Sequence, residues 1–291
     1  MRYELLNCEG TMAKIPSKVA NRISSGIKKF QPILERAKLN GVGESDTVTI
    51  VMEMLAEIFG YDKFLEITSE HAIKGNKCDL AIKIDGEIGL IVEVKAIGIN
   101  LNEQHVTQAV NYAVNIERGV EWVIVTNGMN WRVYKVIFAK PIDQDLVIEI
   151  NFAPDAPKNA KDVEVLYLFS KEGWLKRELD QQHKRTKVLG RFFLGAIIRS
   201  DPVLDVVRKI LRKVSPEVRI DIEEIKSELE SGVIRRDVLE GDKADEAQKK
   251  MAKVANKIRK AKQYSGKADS SVETCSGSGD VLDSSLADIE D

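Results

Sequence analysis

Two apolar runs, residues 80–84 and 88–94, are separated by Asp85-Gly86-Glu87. Asp-Gly between apolar runs is a strong hairpin signal, because a tight primed turn needs a left-handed backbone that these residues adopt readily. The second run, Ile88-Gly-Leu-Ile-Val-Glu-Val94, is rich in Val, Ile and Leu and reads as a strand inside a sheet. It nonetheless carries Glu93 and then Lys95, two positions apart and hence on one face. Charge in an apolar strand is costly unless it is paired or bound to a metal. A strand that accepts that cost is a candidate site.

Asp79 stands on the first strand, and the register decides whether it joins the other two charges. With a strict two-residue loop, Ile84 pairs with Glu87 and Asp79 lies opposite Val92, which puts Asp79 and Glu93 on opposite faces. A three-residue loop, or a bulge, pairs Ile84 with Ile88 and Asp79 with Glu93. A shared ion therefore requires an odd-length connection. Two carboxylates beside a lysine suit phosphodiester hydrolysis: hard oxygen ligands hold Mg²⁺, which polarises the phosphoryl oxygen and lowers the pKa of a bound water. The lysine positions that water and offsets charge building up in the transition state. A Glu–Lys pair on a solvated strand, with Asp79 capping a turn, accounts for the same three residues without any chemistry.

The surrounding order narrows the choice. Glu44-Ser-Asp46-Thr opens a helical pattern that runs through Leu55 to Phe59 and stops at Gly60. After Lys95 a loop leads to residues 103–115, with Val106, Ala109, Val110, Ala113 and Val114 at helical spacing and Gln108 four residues before Tyr112. Trp122-Val-Ile-Val-Thr126 and Trp131-Arg-Val-Tyr-Lys-Val136 read as strands around an Asn127-Gly-Met-Asn130 turn. The order predicted is helix, two or three strands, helix, strand, strand.

Taken together, Glu44-Ser-Asp-Thr, Phe59-Gly-Tyr-Asp62, Cys78-Asp79-Leu, Val92-Glu93-Val-Lys95, Gln108-x-x-x-Tyr112 and Thr126-Asn-Gly followed by Trp131 resemble the PD-(D/E)xK nucleases. Within them, the set is most similar to the N-terminal nuclease domain of type I restriction enzyme R subunits. The resemblance covers roughly residues 41–137; Cys78 stands where the family pattern has a proline that many members lack. It implies an α/β fold, a restriction-endonuclease-like mixed sheet core flanked by helices, followed by a mainly helical C-terminal region. Asp79 and Glu93 would be metal ligands and Lys95 the catalytic lysine. Glu44 would be a further ligand or would orient a metal-bound water, with Asp46 competing for either role. Glu44 is equally well explained as an acid favoured by the positive end of a helix. Gln108 and Tyr112 would line the site and contact nucleic acid, although Tyr112 also fits ordinary helix packing. The implied cofactor is Mg²⁺, with Mn²⁺ as substitute, and the implied partner is DNA. No Gly-x-x-x-x-Gly-Lys-[Ser/Thr] loop occurs, so ATP-driven translocation would have to come from a separate ATPase, and specificity from that or another protein. The chain does not read as a complete R subunit.

The rest of the chain adds weaker signals. The three cysteines, Cys8, Cys78 and Cys275, are scattered, with no apolar run of membrane-spanning length and no secretory leader, which fits a reduced, cytoplasmic protein. Net charge is −2, yet from Ser265 onward seven acids face Lys267 alone, leaving the rest net positive. That Ser/Gly/Asp-rich end reads as a disordered tail over 264–291. Basic residues bunch at Lys14–Lys29, Lys184–Lys213 and Lys249–Lys262, the footprint expected for phosphate contacts or simply for solvated helix faces. The organisation expected is a basic N-terminal helical arm over 1–40, a nuclease-like domain over 41–152, a mainly helical region over 153–263 and the tail. Leu146–Ile150 is a plausible strand, Val163–Phe169 strand or helix, and Gly232-Val-Ile-Arg a short strand with a winged-helix flavour. A Mg²⁺-dependent endonuclease hydrolysing DNA is the leading reading, with restriction or defence as its setting. A non-catalytic nucleic-acid-binding or interaction module, an RNase or a junction nuclease are the alternatives.

Overall fold

A computed structural model describes residues 15–73, 76–152 and 160–268, which divide into two compact units, Met1–Lys187 and Val188–Asp291. The first is built on six strands: β1 (Ile67–Ile73), β2 (Asn76–Ile84), β3 (Glu87–Val94), β4 (Trp122–Thr126), β5 (Asn130–Ile137) and β6 (Asp143–Asn151). They lie side by side in chain order. Every neighbouring pair is antiparallel except β3 and β4, which are parallel. A parallel step cannot be closed by a tight turn; helix α3 (Glu103–Asn115) makes the crossover.

Both faces of the sheet are covered, which is why its central strands are apolar almost throughout. On one face Leu80, Val92, Ile124 and Trp131 share a core with α1 (Ser17–Leu39), α2 (Glu44–Glu57) and α4 (Ala160–Leu168). On the other, Ile91, Val123 and Val125 meet Val106, Ala109 and Ala113 of α3. From Ser17 on, the expected N-terminal arm is thus a core element: Ile23, Ile27, Phe30 and Leu34 of α1 are all buried, while residues 1–14 of the expected arm lie outside the described residues. One of its basic residues has a structural task. Arg22 grips Glu172 with two 2.6 Å bonds and donates to the carbonyls of Ile58 and Phe59, tying α1 to the end of α2 and to the short helix α5 (Lys171–Leu175). Phe59, Trp131 and Phe169 cluster at the centre of this face, the Phe59 ring tilted against the other two with centroids 5.3 and 4.7 Å away. Residues 163–169, ambiguous in sequence, lie within and just past α4.

Helix α6 (Glu178–Leu189) carries Asp180 and His183 against Trp122, with Trp122 Nε1 donating to Asp180 at 3.0 Å. The second unit contains α7 (Arg191–Ile198), α8 (Asp201–Val214), α9 (Ile222–Glu228), a π-helical turn over Leu229–Val233, α10 (Arg236–Leu239) and α11 (Asp242–Ala268). Its described residues contain no strand. Gly232-Val-Ile-Arg, expected as a wing strand, ends the π-helical turn instead, since no neighbouring strand offers it a ladder. Residues 264–268, given to the tail by composition, are the last turn of α11, and the acidic residues from Asp269 lie outside the described residues. Cys78 is a buried free cysteine, whereas Cys8 and Cys275 also fall outside them. Among the described residues no helix is long and apolar enough to cross a membrane.

Candidate active site

The hairpin resolves its register by a bulge rather than by a longer loop, and the bulge lies past the first rungs. Asp85 and Gly86 both adopt positive φ, 52° and 84°, as a two-residue primed turn demands. The first rungs follow that short turn, Ile84 with Glu87 and Lys83 with Ile88. The ladder then shifts at Gly89, after which Ile82 faces Leu90, Ala81 faces Ile91 and Leu80 faces Val92. Gly89 is the extra residue of a bulge. Continued by one rung, the shifted ladder sets Asp79 opposite Glu93. The loop is therefore not odd-length; the bulge supplies the missing residue. Gly89 suits that place for a second reason: a Cβ there would come within 2.9 Å of the Trp174 ring.

At the end of β3 the three charges converge. Asp79 Oδ2 accepts from the Val94 amide at 2.7 Å, so its carboxylate reaches across to the neighbouring strand. Glu93 is 1% exposed, and its Oε1 accepts no hydrogen bond of ordinary geometry, with the Lys95 ammonium 2.7 Å away as a charge contact. Lys95 also lies 3.7 Å from Glu44. Its backbone continues the parallel pairing beyond β3, with the Lys95 amide bonded to the Thr126 carbonyl at 2.8 Å.

Burial acts differently on the two partners. It pushes the Glu93 carboxyl up to about 7; the charges of Asp79 and Glu44 add to this, and Lys95 opposes it. Burial would lower Lys95, but Glu93, Glu44 and Asp79 outweigh it and raise the ammonium above its ordinary range. The difference follows from exposure: the Lys95 side chain keeps 13%, whereas Glu93 is sealed.

Glu44 is exposed in the first turn of α2, where the helix dipole favours an acid, and so is Asp46. Thr47 fixes that turn over the site. It is fully buried, donates through Oγ1 to the Gly43 carbonyl at 2.7 Å and accepts from the Ile97 amide at 3.2 Å. On α3, Gln108 is exposed while Tyr112 is buried. The Tyr112 side chain bonds to Cys78; burial and that neighbour raise its hydroxyl, and burial raises the Cys78 thiol to about 11. The structure thus brings together Asp79, Glu93 and Lys95, sets Glu44 at the rim within 3.7 Å of Lys95, leaves Gln108 at the surface, and packs Tyr112 inside.

Sequence reasoning missed Thr47, Asn102, His105 and the structural use of Asn127. Asn102 caps α3 by accepting from the Gln104 and His105 amides, and His105 Nδ1 accepts the Asn102 amide in return. The Asn102-x-x-His105 spacing was a legible capping signal. Burial and the nearby Lys95 lower the His105 pKa, with Glu44 opposing, so the ring is neutral near pH 7. Asn127 accepts from the Met129 and Asn130 amides and donates to the Ile99 carbonyl, which pins the loop that follows Lys95.

Among the described residues no group of three or more His, Cys, Asp or Glu side chains is gathered tightly enough to cage a metal. The donor set instead is a carboxylate pair, one member sealed from water and raised by that burial, with its like-charged neighbour adding to it. That fits a hard cation held through one or two carboxylates and otherwise hydrated, as Mg²⁺ is.

Residues 49–144 match the family described as type I restriction enzyme R protein N terminus. The matched stretch holds Asp79, Glu93, Lys95, Gln108 and Tyr112 and stops short of Glu44, α1 and the helices after β6. No curated protein and no solved structure matches the chain.

Proposed function

We propose that the segment similar to type I restriction enzyme R proteins makes this chain a Mg²⁺-dependent endonuclease that hydrolyses DNA phosphodiester bonds, in restriction or a related defence role. One observation carries the reading: past the bulge at Gly89 the register, continued by one rung, brings Asp79 opposite Glu93, with Lys95 2.7 Å from the latter. The same two-residue turn without the bulge would have separated them.

Asp79 and Glu93 would hold the ion, which when bound supplies Lewis-acid polarisation of the phosphate and a water of lowered pKa. Glu93 must be ionised to do so, and Lys95 favours that form. The Lys95 ammonium stands ready to neutralise charge on the phosphoryl oxygens and to orient an attacking water. Glu44, on the turn that the Thr47 bonds fix and 3.7 Å from Lys95, would be a further ligand or would orient a metal-bound water at the rim. Gln108 reaches the nucleic acid from the exposed side of α3, and Tyr112 supports that surface from within by its bond to Cys78.

The test is cleavage of supercoiled, linear and single-stranded DNA with Mg²⁺, Mn²⁺ or EDTA by wild type, Lys95→Ala and Asp79→Asn. Metal-dependent cutting that falls about 10²–10³-fold or more in both variants is expected. Wild-type binding of DNA without cutting, under all three metal conditions, would leave the fold as a binding module.

A further inference from the structure

Helix α11 places Ala244, Ala247, Met251, Val254 and Ile258 at alternating steps of three and four residues. That spacing is the apolar seam of a helix lying along another helix. The first three are buried at 5, 7 and 7% exposure, and Ala247 and Met251 pack with Phe192, Phe193 and Ile197 of α7. Val254 and Ile258 are 42 and 37% exposed, so the seam runs on past its cover. Around this uncovered half stand Lys249, Lys250, Lys253, Lys257, Arg259 and Lys260, and no acid occurs between Ala247 and Ala268. A second copy of so uniformly basic a helix is repelled from the seam. The surface fits an acidic segment with apolar residues at helical spacing.

The same chain contains one. Residues 269–291 hold seven acids and no Lys or Arg. Within them Leu282, Leu286 and Ile289 repeat the step of four and three, flanked by Asp283, Asp288, Glu290 and Asp291. Residues 269–279 between the two are rich in Ser and Gly. Fully extended they reach roughly 35 Å, whereas Val254 lies only about 21 Å back along the helix from Ala268. The tether keeps the segment at an effective concentration on the order of millimolar.

We propose that residues 280–291 fold back on α11, seating Leu282, Leu286 and Ile289 along Val254 and Ile258 while their carboxylates pair with Lys253, Lys257 and Lys260. The docked segment is an intramolecular cover for the basic helix, independent of the chemistry at Asp79 and Glu93. The consequence is a basic surface that the free chain keeps neutralised.

Zero-length carbodiimide coupling of carboxylates to lysines in the dilute full-length chain, mapped by mass spectrometry, tests this directly. Cross-links between Lys253, Lys257 or Lys260 and Asp283, Asp288 or Glu290 are expected within the monomer. Their yield should fall about tenfold or more in the triple variant Leu282→Asp, Leu286→Asp, Ile289→Asp, which keeps every native carboxylate but loses the apolar contact. Cross-links that persist in the triple variant would reduce the contact to bare charge attraction and overturn the docking. So would cross-links confined to a dimer, which would place a second copy's tail on the seam, or no cross-links at all.

Discussion

Replacing Glu93 by Gln isolates what burial of its charge does to the fold. In the metal-free protein the carboxyl titrates near 7 rather than at its ordinary 4.5. Each unit corresponds to 1.36 kcal/mol, so the ionised form is disfavoured in the folded state by about 3 kcal/mol. Between pH 4.5 and 7 the folded chain binds more protons at this site than the unfolded chain, so stability falls as pH rises. Below pH 4.5 both states are protonated and the contribution is fully present; above 7 it is lost. The amide variant is neutral at every pH and should escape the loss. A competing effect is the loss of a partner for Lys95, which for a sealed ion pair would cost about 3–5 kcal/mol. Here Lys95 keeps 13% exposure and Glu44 at 3.7 Å, so it is not stranded, and relief at the 1%-exposed carboxylate wins. The expected result is that Glu93→Gln exceeds wild type by about 2–3 kcal/mol at pH 8 in EDTA, with a pH-independent difference below 4.5. That corresponds to roughly 5–10 °C in melting temperature for a unit of this size. Urea titrations from pH 4 to 9 measure it. A variant less stable than wild type at pH 8, or a difference flat across the whole range, would show that the Lys95 contact dominates and that the reasoning from burial is wrong.

Other variants probe the parts that hold the site in place. Gly89→Ala should lower stability by about 1–3 kcal/mol, because its methyl meets the Trp174 ring at 2.9 Å, and urea unfolding will show it. Arg22→Ala removes a bidentate ion pair and two carbonyl contacts and should destabilise by about 2–3 kcal/mol, with the loss shrinking in high salt. Tyr112→Phe should cost about 1 kcal/mol through its lost bond to Cys78, and Gln108→Ala almost nothing in stability while weakening DNA retention in a binding assay.

The elements that sequence reasoning located best are those whose pattern is local. Strands β3 to β5 and helix α3 followed from apolar runs, spacing and turn residues, and the charges of Glu93 and Lys95 stood out because they interrupted such a run. Helix α1 was legible as a helix but not as core, since an amphipathic helix near basic residues looks alike whether it packs on a sheet or stands apart. Only tertiary contact shows Arg22 spent on Glu172. Tyr112 was ambiguous for the same reason: an aromatic residue at helical spacing faces either a site or a core, and the bond to Cys78 settles its direction here. Register was harder still, because a bulge has no sequence mark of its own beyond a glycine, and turn rules alone pair Asp79 with the wrong neighbour.

That bulge has a consequence for how the hairpin can change. The charges meet because of one residue at position 89, and everything outward of it, from Lys83 through the turn to Ile88, bears on their alignment only through its length. Pairs of residues can be added to or removed from the two arms there without altering which side chains face each other at the base. A single-residue change on one arm would either cancel the offset or double it. The tip is thus a place where length variation in even steps is silent, and a site for grafting peptide or label, while Gly89 is the position at which one insertion or deletion would dismantle the charge cluster without touching any of its members.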